Sequence, residues 1–189
     1  RYRRANPQVE VSAIEDNGEY LEHLLIGGEL DVAVMVISNL HDKLALQVEI
    51  LAVSPYRLWL PIGHRLTRQD SVNVGDLAGE QLIMLDIDEM GEAAMKLLSA
   101  LGTRPKIAFR TRSVEAVRSL VATGAGIALL PDLVYRPWSL EGDRIESRDV
   151  SGALPVVQVG MVWRKGSPLS AAAKDFISIA KGQQTARER

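Results

Sequence analysis

The sequence predicts an α/β fold with mostly parallel sheets, and three observations carry that reading. Short apolar runs such as Asp31 to Ile37 and Ile127 to Leu130 have the length and continuity of strands covered on both faces. Between the runs lie segments with apolar residues at helical spacing, so strand and helix alternate along the chain. Glycines and prolines fall at the ends of these segments, where chain reversals need them. With 189 residues, 47% of them hydrophobic, the chain is long enough to bury a substantial core.

The elements follow in order. Arg1 to Asn6 reads as the tail of a helix, because Pro7 disfavours helical geometry at the preceding residue. Val9 to Ile14 alternates apolar and polar residues, the period of a strand. Asn17 is a natural N-cap for a helix whose face is Tyr20, Leu21, Leu24 and Leu25, ending near Gly27 and Gly28. With the strand Asp31 to Ile37 this makes a βαβ unit. Leu44 to Val53 and Arg57 to Ile62 are two more strands, separated by Pro55. A short helix at Val74 to Ala78 leads into the strand Gln81 to Leu85.

Gly91 to Leu101 carries Ala94, Leu97, Leu98 and Leu101 on one helical face and stops at Gly102. Lys106 to Thr111 is a strand, and Ser113 caps the following helix, with Glu115 in its first turn and Gly124 as its stop. Ile127 to Leu130 is a strand closed by Pro131. One short strand near Arg144 to Arg148 lies in an otherwise turn-rich stretch, and Val156 to Trp163 is the last strand. A final helix starts at Ser167 and Pro168 and runs to Gly182, followed by a polar tail.

Composition excludes several functions. The net charge of −2 gives no electrostatic footprint for nucleic acid, and Arg1, Arg3 and Arg4 read as a solvated helix end. The absence of cysteine removes disulfides, thiolate nucleophiles and cysteine metal sites. No apolar run reaches the roughly 20 residues of a membrane-spanning helix. His23, His41 and His64 are too scattered for a metal motif. Asp86, Asp88 and Gly91 fail as a calcium loop, because Met90 and Leu97 stand where oxygen ligands belong. Gly124-x-Gly126 has Leu129 in place of a third glycine and enters a strand, so it is no dinucleotide fingerprint. Asp31 reads as a carboxylate at a loop boundary, and no nucleophile elbow or phosphate loop is present, so no catalytic residue, cofactor site or metal site is assigned.

Binding is better supported. Ligands of open parallel sheets sit beyond the carboxyl ends of strands, near helix N-termini with free N–H groups. Three strand ends qualify: Ile37 with Ser38, Asp86 with Ile87, and Arg112 with Ser113. The last joins a guanidinium and a hydroxyl to a helix N-terminus, a combination that suits a carboxylate. The same residues also read as a capped helix with solvated arginines.

In order, the segments Asn6-Pro7-x-Val9, Gly28-Glu29-Leu30-Asp31-Val32-Ala33-Val34, Leu60-Pro61-Ile62-Gly63-His64-Arg65-Leu66, Val74-x-x-Leu77 and the long run from Ser113 to Pro131 resemble the effector-binding domain of LysR-type transcriptional regulators. The resemblance extends from Pro7 to about Lys181, and His64-Arg65 departs from the family's usual His-Pro. It implies a fold similar to type 2 periplasmic binding proteins, with two Rossmann-like lobes joined by two crossover strands. Lobe I would comprise residues 1–54 and 152–184, lobe II residues 55–151, and residues 185–189 a polar tail. A small effector, a carboxylate by the chemistry above, would bind in the cleft near Leu60, Pro61, Asp86, Ile87, Arg112, Ser113, Leu130 and Ile37. The resemblance further implies a cytoplasmic homodimer or tetramer that meets DNA only through a winged helix-turn-helix domain outside this chain. It also implies an opening strand and helix start ahead of Arg1. The competing readings are a transport solute-binding protein of similar fold, which needs an export signal, and an enzyme on that fold, which needs clustered acid and base residues.

Overall fold

The computed structural model describes residues 2–87, 95, 98–99, 102, 106–152, 154 and 156–187. Most of the helix expected over 91–101 lies outside these residues, as do Asp88 and Met90. The chain divides into two compact units, residues 1–53 with 157–189, and residues 54–156.

In the first unit, α1 (Tyr2–Ala5) is followed by an extended segment and α2 (Gly18–Gly27). The side chain of Asn17 accepts from the amide of Tyr20 at 2.9 Å, and Gly28 closes the helix at φ 80°, as the sequence expects. Strand β1 (Ala33–Val36) pairs antiparallel with the last strand, β9 (Val156–Arg164), whose other neighbour is the first part of β2 (Leu46–Pro61). Leu25, Ala33, Ile37, Leu40, Leu46 and Val162 form the core. Gly160 lies so close to β2 that a Cβ there would stand 2.7 Å from the carbonyl oxygen of Glu49.

Two expectations need correction here. Val9 to Ile14 is not a strand: among the described residues no ladder reaches it, and its residues instead line a hollow of about 450 Å³ with Tyr2, Leu30 and Phe176. Alternation selects residues for two faces but supplies no partner for the backbone. The βαβ reading of the first segments goes with it. Strand β1 is also not covered on both faces, since Val34 is 54% exposed. The final helix, α4 (Ala171–Arg187), begins later than expected. Ser170, not Ser167, accepts from the third helical amide, that of Ala173, at 3.1 Å. The helix passes through Gly182 and takes up residues 185–187 of the expected tail.

In the second unit, the two strands expected on either side of Pro55 are one continuous strand, β2. Pro55 is tolerated because the pairing with β6 (Ala128–Pro131) starts one residue later, at Tyr56, so no amide is needed at 55. Strand β2 pairs antiparallel with β6 and with β7 (Ile145–Arg148). Strands β4 (Gln81–Leu85) and β5 (Lys106–Thr111) pair parallel, as do the short β3 (Val72–Asn73) and β8 (Val150–Ser151). A parallel bridge, Leu82 to Ile127, carries β4 onto the approach to β6. The parallel character expected from the sequence therefore lies in β4 with β5, β3 with β8 and the bridge, and the long strands β2 and β9 contribute antiparallel pairs. Helix α3 (Val114–Ala122) packs Val117 and Val121 on Trp59, Ile83, Leu85, Leu130 and Ile145.

Candidate functional site

The parallel registers fix which residues share an end of the second unit. Leu85 lies opposite Thr111, and the amide of Asp86 donates to the carbonyl of Thr111 at 2.8 Å, so β4 and β5 end side by side. The bridge from Leu82 to Ile127 places Leu130 level with Leu85. Asp86, Ile87, Arg112, Ser113 and Leu130 therefore stand at one carboxyl edge.

The antiparallel register of β2 brings a different part of that strand to the edge than expected. Tyr56 faces Pro131 and Arg57 faces Leu130, whereas Leu60 and Pro61 face Glu146 and Ile145 further along. At about 3.3 Å per residue, Leu60 and Pro61 sit on the order of 10 Å from the carboxyl edge, toward the amino ends of β4 and β5. Leu60 is also fully buried. In the second unit these two residues thus lie at the opposite end of the strands from Asp86, Ile87, Arg112 and Ser113. Ser54, Pro55 and Tyr56 take their place at the edge. Nothing local in the sequence marks them, because strand direction decides which end of β2 arrives there.

Two other expected residues have their side chains in cores. Leu130 is 4% exposed and packs with Trp59 and Val117, and Ile37 is 8% exposed in the core of the first unit. What they offer a ligand is backbone.

At the edge itself, the local chemistry starts from the cap. Ser113 Oγ accepts from the amide of Ala116 at 3.2 Å, and the Ser113 amide donates to Thr111 Oγ1 at 3.1 Å. Both hydroxyls are thus engaged in turning β5 into α3. Among the described residues, the amides of Val114 and Glu115 meet no acceptor, and the exposed Arg112 makes no ion pair. Two free N–H groups at a helix N-terminus beside a guanidinium form a ready acceptor for an anion. Nearby, Ser54 is buried and accepts from the amide of Leu133 at 2.9 Å. Tyr56 borders a cavity of about 10 Å³ with Leu85 and Leu130, and burial raises its phenol above the ordinary range. Among the described residues, no His, Cys, Asp and Glu group is placed to hold a metal ion, and no helix is long and apolar enough to cross a membrane.

Comparison with known proteins agrees with this architecture. The model of the LysR substrate binding domain matches residues 1–185. A hydrogen peroxide-inducible genes activator of Pectobacterium carotovorum subsp. carotovorum is 30% identical over 167 residues, covering 88% of this chain and 54% of its own. The chain therefore spans about half the length of that relative. The C-terminal domain of a probable LysR family transcriptional regulator from Rhodococcus sp. RHA1 superimposes with a TM-score of 0.85 at 28% identity, over 95% of this chain and 88% of its own. The BenM effector binding domain, solved with its effector benzoate, shares the fold with a TM-score of 0.81 at 18% identity, over 99% of this chain and 84% of its own. The α/β fold is of the type 2 periplasmic-binding-protein kind found in LysR effector-binding domains. The chain belongs to the LysR substrate-binding domain family.

Proposed function

We propose that this chain senses a small anionic metabolite for a bacterial transcriptional regulator, and that the anion is held at the corner formed by Arg112, Ser113 and the amides of Val114 and Glu115. The observation that carries the reading is a pair of amides and a guanidinium that, among the described residues, have no partner at the carboxyl edge of β4 and β5. Asp86, Ile87, Ser54 and Tyr56 border the same edge and would set the shape and polarity of what fits. In this reading the protein is not an enzyme, acts in the cytoplasm as a homodimer or tetramer, and meets DNA through a domain outside these residues. The exposed outer strand β5, with Phe109 half exposed, is the kind of surface a second copy would cover.

The names of the relatives raise a second reading, a response to peroxide. The chain has no cysteine, so it holds no thiolate to oxidise and cannot close a disulfide. That favours a bound ligand. The test is thermal denaturation with a panel of small carboxylates, beginning with benzoate, and with inorganic phosphate. A rise in melting temperature that Arg112→Ala removes supports the reading. Shifts from neutral compounds alone would overturn its anionic part.

A further inference from the structure

Arg118 is a charged residue in the core of the second unit, 3% exposed. Its Nη2 donates to the carbonyl of Val134 at 2.9 Å, its Nη1 pairs with Glu115 one turn earlier, and its guanidinium lies 5.5 Å from the centroid of the fully buried Trp59 ring. Among the described residues its Nε has no partner. A guanidinium taken out of water is a costly way to fill this volume, which an unbranched apolar side chain would fill as well. What an apolar residue would not supply is a fixed positive charge under the first turn of α3.

That charge is delivered to Glu115. The Glu115 carboxylate is half exposed and sits on the residue whose own amide is one of the two donors without an acceptor among the described residues. Without a partner it would face an incoming anion at close range and would compete with it for Arg112. We infer that Arg118 is a positioning residue for anion recognition: it draws the Glu115 carboxylate against the core and cancels its charge, so that the amides and Arg112 stay available. Trp59 and the Val134 carbonyl hold the guanidinium in the orientation this requires. The inference rests on the corner proposed above as the anion site.

A double-mutant cycle tests it, with benzoate and inorganic phosphate as probes in calorimetric titration. Glu115→Gln alone leaves the affinity within about twofold, because its charge is already cancelled. Arg118→Met weakens binding by about two- to fivefold, the usual effect of one charge at a helix N-terminus. Adding Glu115→Gln to Arg118→Met restores binding, an effect that a purely structural role for Arg118 would not produce. A loss that Glu115→Gln does not rescue overturns the inference. So does a tightening of about fivefold by Glu115→Gln alone, and this arm stands even if Arg118→Met fails to fold. If neither probe binds the unaltered protein, the anion site itself falls, and the inference falls with it.

Discussion

The amide of Asp86 donates to the carbonyl of Thr111 at 2.8 Å, which extends the β4–β5 ladder past Leu85 and ties the two exit loops together. The tie is made by backbone, while the Asp86 side chain is exposed. Asp86→Ala should therefore change stability by less than about 0.5 kcal/mol. Asp86→Pro removes the donor, leaves the Thr111 carbonyl without its partner and should cost about 1–3 kcal/mol. Urea denaturation of the two variants checks the contrast, and equal losses would show that the side chain does the holding.

Ser113 separates the cap from the ligand. Its hydroxyl is committed to the amide of Ala116. Ser113→Ala should then cost about 1 kcal/mol of stability. Arg112→Ala, at an exposed residue without a partner among the described residues, should leave stability within about 0.5 kcal/mol and remove the anion-induced rise in melting temperature. A Ser113→Ala variant of unchanged stability would contradict the capping geometry.

What was legible in the sequence divides along the same line between local and long-range effects. The caps at Asn17 and Ser113 and the stops at Gly28 and Gly124 could be read because each is settled within a few residues; both glycines have φ near +80°. The continuity of β2 through Pro55 could not be read, because it depends on where its partner β6 begins to pair. The candidate site shows the same split. That Asp86, Ile87, Arg112 and Ser113 stand at the ends of β4 and β5 could be read from the sequence alone. That Tyr56, and not Leu60 or Pro61, lies level with the ends of β4 and β5 could not be read, because the direction of β2 against β6 is set by tertiary pairing.

Gly126 shows how a residue can matter for a reason its motif does not state. It belongs to no nucleotide fingerprint, yet a Cβ there would stand 2.6 Å from the carbonyl oxygen of Gln81 and 3.1 Å from Ile83 Cδ1. The close approach permits the bonds from Ile127 N to Gln81 O and from Ile83 N to Ile127 O, both 2.8 Å. Gly126→Ala should force these strands apart at a cost of about 1–3 kcal/mol. Gly75→Ala, where a Cβ meets nothing within 4 Å, is the control and should be close to neutral. Paired denaturation curves decide it, and equal stabilities would refute the close approach.

Glu22 is the buried carboxylate of the first unit, 5% exposed on α2. It accepts from the amides of His41 at 3.1 Å and Asp42 at 3.2 Å and lies 3.3 Å from His41 Nδ1. These bonds hold the turn that leads into β2, where Asp42 in turn accepts from the amides of Leu44 and Ala45. Glu22→Ala leaves two amides without their acceptor and should cost about 2–3 kcal/mol. Glu22→Gln keeps one oxygen acceptor and should cost less. Amide exchange locates the effect: residues 41–45 should lose protection before the α2 interior does, and uniform loss throughout the unit would assign Glu22 to general stability instead.

Tyr56 gives the protein an alkaline limit. Burial raises its phenol above the ordinary value near 10, since the phenolate is the form that loses solvation. A group whose folded pKa lies above its unfolded value contributes stability that is fully present below the unfolded pKa. That contribution is lost as pH rises toward and through the folded pKa. Stability should therefore fall from about pH 10 upward. Tyr56→Phe should flatten that part of the profile while leaving the neutral range nearly unchanged, because among the described residues the Tyr56 hydroxyl makes no hydrogen bond that phenylalanine would forfeit. Ultraviolet titration of the phenols supplies the independent reading: Tyr56→Phe should remove a tyrosine that ionises late. If the late-ionising signal persists in Tyr56→Phe, the raised group is another tyrosine, and the edge around Leu85 and Leu130 is more open to water than its cavity of about 10 Å³ allows.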